Sequence, residues 1–196
     1  MTGESRWSRD GRSQGHPDRR PGPPTRTVET VLADDLLTEI EGLFAAMVES
    51  GGVTLRCEPG AAAVRVAVDR QEMRRVFQNL VQNAIAACDG GGEVIVRSSL
   101  TADHVVFRVS DDGGGIPEHV KPKLFAPYFT TKSSGTGLGL AICRRILQAH
   151  GGRIALENSE PGSTTFVIEL PIANRLLDGT GDEPKAGGGN GDEQPA

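Results

Sequence analysis

Aromatic side chains make up only 4% of these 196 residues, so a core must rest on Val, Leu, Ile and Ala. Cysteine is almost as scarce. Cys57, Cys88 and Cys143 are isolated and odd in number, with no Cys-x-x-Cys spacing. That argues against a disulfide framework and a zinc site, and a reducing cytoplasm is the simplest compartment. No apolar run reaches the roughly 18 residues needed to cross a bilayer, and no signal-peptide pattern opens the chain. Excess positive charge is missing too. A formal charge of −5 gives no general attraction for nucleic acid, so a bound polyphosphate would need local basic groups. No internal repeat is visible.

What is present falls into three parts. Residues 1–26 are rich in Arg, Pro, Gly and Ser and read as a disordered arm. Its arginines (Arg6, Arg9, Arg12, Arg19, Arg20, Arg26) suit an acidic partner, although a solvated tail is the simpler reading. Residues 173–196 are Gly-rich and polar and read as a disordered tail. Residues 27–172 form the one domain, and about 150 residues suffice to bury roughly 70% of an unfolded chain's surface.

Within that domain, residues 30–50 have helical spacing (Val31, Leu36, Ile40, Leu43, Phe44, Met47) and stop at Gly51-Gly52. Strands are predicted near 53–58 and 63–68. Asp69 suits the N-cap of a second helix reaching about Ala87, with an apolar face of Met73, Val76, Phe77, Leu80 and Ala84. Strands at 93–100 and 104–110, a third helix at 137–149 and strands at 153–157 and 163–170 follow. The pattern predicts an α/β (α+β) two-layer sandwich: a mixed sheet of about five strands with three main helices on one face.

Four short stretches carry the chemistry. Asn79 and Asn83 lie one turn apart on the second helix, projecting from one face opposite Phe77 and Leu80. An amide oxygen is a hard, neutral ligand suited to Mg²⁺. Asp111 closes a strand and is followed by Gly113, Gly115 and Ile116. A carboxylate there can accept a hydrogen bond from an exocyclic amine, as on adenine, whereas the guanine carbonyl would face it unfavourably. Gly135, Thr136, Gly137, Leu138, Gly139 and Leu140 open the third helix, where backbone N–H groups and the helix dipole favour an anion. The spacing matches neither a P-loop nor a dinucleotide fingerprint. Between the glycine segments lie about 20 residues with little regular pattern, containing Phe125, Tyr128, Phe129, Thr130, Thr131 and Lys132. They are expected to form a lid that closes on nucleotide, ordinary core packing being the alternative. Lys132 is the best-placed lysine to offset triphosphate charge, with Arg75 a weaker candidate. Together these stretches suit Mg-ATP.

With these motifs in order, residues 27–172 resemble the catalytic ATP-binding domain of sensor histidine kinases, in the superfamily shared with gyrase-type topoisomerases and heat-shock chaperone ATPases. The resemblance covers the N box (Asn79, Asn83), the G1 box (Asp111, Gly113, Gly115), the F box (Phe125, Phe129) and the G2 box (Gly135, Gly137, Gly139). The wording around Phe129 to Leu140 is most similar to the nitrogen-regulation branch. The resemblance implies a Bergerat-type fold, Mg²⁺ on Asn83, adenine on Asp111, and phosphates against the lid and third helix. It also implies catalytic roles for Asn79, Asn83 and Lys132.

One position separates the branches. Topoisomerase, chaperone, mismatch-repair and anti-sigma serine-kinase members carry a Glu four residues before the metal-binding Asn. Here that residue is Asn79, which cannot take a proton. A histidine acceptor needs less help than water or serine, so phosphoryl transfer to histidine is the expected reaction. The alternatives are an ATP-binding regulatory module without catalysis and an ATPase of this superfamily. His16, His104, His119 and His150 do not lie on a long amphipathic helix, so no phosphoacceptor domain is expected within the chain. The acceptor is then a histidine-bearing dimerisation domain, met in trans or belonging to a longer chain, with a response regulator as an indirect partner.

Overall fold

The computed structural model describes residues 27–132 and 135–173. The arm at 1–26 and the tail from 174 lie outside the described residues; Ala173 itself is buried. In chain order the elements are β1 (Glu29–Leu32), α1 (Ala33–Gly51), β2 (Val53–Glu58), β3 (Arg65–Val68), α2 (Arg70–Ala87), β4 (Gly92–Leu100), β5 (His104–Asp111), α3 (Gly139–Ala149), β6 (Arg153–Glu160) and β7 (Ser163–Pro171). A 3₁₀ turn, Lys121–Lys123, lies between β5 and α3.

The main sheet has the order β2-β4-β5-β7-β6, and β1 pairs with β3 in a separate two-stranded sheet. Only β2 and β4 run parallel, because α2 returns the chain to the same end of the sheet; every other pairing is antiparallel. The expected two-layer architecture is therefore present. Two helix starts differ. Residues 30–32 were expected in the first helix but belong to β1 and pair with β3, Val31 opposite Val66, so α1 starts at Ala33. Val31 is buried either way, and spacing alone cannot see a partner strand more than thirty residues on. The third helix likewise starts at Gly139, two residues later than expected, because Gly137 has φ 67°.

The core lies between the helices and one sheet face. Val94, Val96, Val105, Phe107, Val109, Ile168 and Leu170 meet Phe44, Met73, Phe77, Leu80 and Leu147 there, all essentially inaccessible. Phe77 of α2 meets Phe107 of β5 edge-on at 5.3 Å, one of the few aromatic pairs available. The opposite face is laced with ion pairs. Arg108 holds Glu157 through two nitrogens at 2.8 Å, and Arg153 holds Glu169. Such exposed pairs contribute little each, about 0–1 kcal/mol. They mark this face as solvated.

Candidate functional site

Helix α2 brings in the asparagines. Asp69 caps it by accepting from the N–H groups of Gln71 and Glu72 at 2.9 and 3.1 Å. The Glu72 bond most strongly, with the Thr27 N–H at 3.0 Å and the Gln71 bond, holds its carboxyl below the usual range against the opposing effect of burial. Asn79 and Asn83 are half-buried and flank the apolar face rather than standing opposite it. At 3.6 residues per turn, Asn83 sits about 60° from Leu80 around the axis. Asn79 Nδ2 donates to the Arg75 carbonyl at 2.8 Å. Its Oδ1 meets the start of α3, where a Cβ on Gly139 would stand 2.8 Å away. Glycine there leaves room for the tip of the Asn79 side chain. Asn83 Oδ1 accepts from Lys132 Nζ at 3.3 Å, so this oxygen already faces a cation.

The far ends of these helices are tied together. The Asp69 N–H donates to His150 Nε2 at 3.0 Å, and His150 Nδ1 donates to the Ile146 carbonyl at 2.8 Å. His150 is therefore a buried link between the start of α2 and the end of α3. Among the other histidines, His104 is half-buried on β5, His119 is exposed, and His16 lies outside the described residues.

Strand β5 ends in Asp111, only 7% exposed. Burial pushes its carboxyl up to about 6, Asp112 adds to the rise, and the Gly113 N–H opposes it by donating to Oδ1 at 3.1 Å. Gly113 backs onto α2, where a Cβ would meet the Ala87 carbonyl at 2.5 Å. Gly115 has φ 77° and lies against the Glu160 backbone, where a Cβ would meet heavy atoms at 2.8 Å.

The segment after Ile116 is rooted in the core and open at its tip. Val120 is buried, and Leu124 and Phe125 pack against the core. Phe125 meets Phe166 edge-on at 6.4 Å, with the Arg144 guanidinium 6.0 Å from its ring centroid. Tyr128 is 78% exposed, and Phe129 turns inward to the cavity. The three rings thus divide the work: one anchors, one faces water, one lines the site. The Lys132 N–H donates to the Thr130 hydroxyl at 3.1 Å, and Gly135 folds back against that hydroxyl.

These parts enclose one cavity of about 360 Å³, within the size range of small-molecule sites, about 300–1,000 Å³. Of the expected residues, Asn79, Asn83, Asp111, Gly115, Ile116, Phe129, Thr130, Thr131, Lys132, Gly135, Thr136, Gly137, Gly139 and Leu140 line it. Gly113, Phe125 and Leu138 stand behind that lining; Leu138 is half-buried and its carbonyl accepts from Ile142 N–H at 2.9 Å. The exposed Arg75 is not among the lining residues. Sequence reasoning missed Ala84, Ala87, Pro117, Val120, Leu124, Thr164 and Phe166. Thr164 was detectable only through strand register, since it pairs with Asp111 across β5 and β7.

The donor set fits a phosphate-bound Mg²⁺ better than a metal caged by protein. Among the described residues no cluster of three or more His, Cys, Asp or Glu could hold an ion. Asn83 Oδ1 would contribute one hard oxygen, leaving the rest to phosphates and water. Among the described residues, no helix is long and apolar enough to cross a membrane.

Residues 68–174 match the family described as histidine kinase-, DNA gyrase B-, and HSP90-like ATPase. The chain is 34% identical over 157 residues to the sensor histidine kinase ZraS of Salmonella typhimurium, which covers 80% of the chain. It is 35% identical over 140 residues to the alginate biosynthesis sensor protein KinB of Pseudomonas aeruginosa, covering 70% of the chain. It spans only 34% and 24% of those relatives' own lengths. Among solved structures, the catalytic domain of the histidine kinase ThkA superposes with a TM-score of 0.68 at 37% identity, covering 74% of this chain and 95% of that one. ThkA has also been solved in complex with the response regulator protein TrrA; there the TM-score is 0.65 at 34% identity, over 76% of this chain and 42% of that one.

Proposed function

The chain belongs to the histidine kinase-, DNA gyrase B-, and HSP90-like ATPase family, and on that premise we propose that it binds Mg-ATP and phosphorylates a histidine on a separate helical domain. Residues 27–172 then act as the catalytic domain of a protein histidine kinase in two-component signalling. A response regulator takes the phosphoryl group afterwards. The unpaired thiols suit a cytoplasmic setting.

Each residue has a role in this reading. Asp111 accepts from the adenine amine at the buried end of the cavity. Asn83 is the protein's ligand to Mg²⁺, which when bound neutralises phosphate charge. Lys132 and the N–H groups opening α3 meet the triphosphate, the helix dipole contributing about 0.3–1 kcal/mol. Phe125 and Phe129 seat the lid, and Asn79 holds α2 against the start of α3. Catalysis is then positioning and charge neutralisation rather than proton removal.

The observation that carries this reading is Asn79. An amide stands where a general base for water or serine would be needed, one helical turn before Asn83, and it is held by the Arg75 carbonyl. A neutral imidazole nitrogen brings its own lone pair, so it is the nucleophile that can do without a base. The test is to mix the chain with a histidine-bearing helical hairpin from a sensor kinase and γ-labelled ATP. Acid-labile label on the hairpin is expected. Binding without label would favour a regulatory module, and rapid ATP hydrolysis by the chain alone would favour an ATPase.

A further inference from the structure

Ser159, near the end of β6, is one of the few buried polar side chains, 6% exposed. Its neighbourhood is unusual because three parts of the cavity meet there. Its hydroxyl accepts from the N–H of Ile116, the first residue after the glycine turn, at 2.8 Å. The same hydroxyl lies 3.2 Å from Thr164 Oγ1. Its carbonyl accepts from Lys121 Nζ at 2.9 Å, at the root of the lid. Close by, the Gly162 N–H donates to the Gly113 carbonyl at 2.7 Å. The tip of the β6–β7 hairpin therefore grips both the glycine turn and the lid's base.

Hydrogen-bond direction makes this more than a brace. A backbone N–H can only donate, so Ser159 must offer Ile116 a lone pair and keep its own proton for another acceptor. The 3.2 Å separation from Thr164 Oγ1 lets either hydroxyl donate, and Thr164 Oγ1 stands within reach of the Ser159 proton. Once Thr164 accepts from Ser159, its own proton is free. Thr164 is 4% exposed, lines the cavity and pairs with Asp111 across the strands. We propose that Ser159 is a positioning residue: by accepting from Ile116 and donating to Thr164, it turns the Thr164 proton toward the cavity beside the Asp111 acceptor.

The consequence is a paired code, one acceptor and one donor side by side. This rests on the ATP reading above and deepens it. Adenine offers the complement, an amine beside an unprotonated ring nitrogen. Hypoxanthine offers the reverse, a carbonyl beside a protonated ring nitrogen. A Thr164 hydroxyl locked as a donor penalises the second, whereas a free one could rotate and accept.

The test is the ratio of ATP to ITP affinity, measured calorimetrically on the full chain. Ser159→Ala is expected to lower that ratio about tenfold, the cost of one mispaired buried group. Ser159→Thr, which keeps a hydroxyl, is expected to hold the ratio within about twofold. In a Thr164→Val background, adding Ser159→Ala should change the ratio no further, because the relay then has no second member. Equal weakening of ATP and ITP by Ser159→Ala would reduce Ser159 to a structural brace and overturn the proposal, as would independent effects in the double variant. If Ser159→Ala does not fold, Thr164→Val and Ser159→Thr still decide: an unchanged ratio in the first or a collapsed one in the second overturns it. An unmodified chain that binds neither nucleotide would instead sink the ATP reading, and this inference with it.

Discussion

The Asp111 end of the cavity is walled by sheet and helix, whereas the Lys132 end is exposed loop. Asp111 and Thr164 are nearly inaccessible, and Gly113 and Gly115 leave no room for a Cβ against Ala87 and Glu160. Thr130, Thr131 and Lys132 all face solvent. The contrast suits the division of labour in the proposed function: a buried end to select the base and an exposed end to meet phosphates and a second protein. Buried hydrogen-bonding groups discriminate strongly because a mismatch leaves them unpaired. Exposed charges attract without choosing.

Breaking the buried end should have the largest effect. Asp111→Asn is expected to weaken ATP binding about 10- to 100-fold and to erase preference over GTP. An unchanged ATP/GTP ratio by calorimetry would remove Asp111 from its assigned role. Next, Asn83→Ala should weaken ATP about tenfold more with Mg²⁺ present than with the metal chelated. Equal losses in both conditions would make Asn83 merely structural.

Acidity sharpens the same contrast. The Asp111 carboxyl rises from 3.8 to about 6 on folding, so the folded chain binds this proton more readily than the unfolded one. Its stabilising contribution is fully present below the unfolded value and is lost as pH rises through about 6. Denaturant titrations at pH 5 and 7 should therefore differ between the native chain and Asp111→Asn, the native chain losing more stability toward pH 7. ATP affinity should move the other way, falling as pH drops below about 6, because adenine needs the ionised acceptor. Identical pH profiles for the two chains would contradict this.

At the exposed end the effects should shrink. Lys132→Ala is expected to cost about two- to fivefold in Mg-ATP affinity, as for a solvated charge. Its loss should leave ATP/GTP selectivity intact. A change in selectivity would mean that the two ends are not independent.

The same contrast explains what could be read from the sequence. The α2 face, the Asp69 cap and the glycines around Asp111 and Gly137 are local signals, set by a helical period or a required backbone turn, and they were legible. Thr164 and Phe166 were not, because in sequence they are ordinary alternating strand residues; only pairing of β7 with β5 carries them to the cavity. Residues 30–32 were misread for a related reason, since their partner lies in β3. Phe125 and Phe129 looked equivalent as aromatic lid residues, yet one packs on Phe166 and the other lines the site, a difference fixed by tertiary packing.

The most direct measurement is a calorimetric titration of the folded chain with ATP in the presence of Mg²⁺. Saturable heat at one site per chain, with affinity weakened in Asp111→Asn and diminished by chelating the metal, is the predicted result. A folded chain that gives no heat of binding would contradict the account at its root.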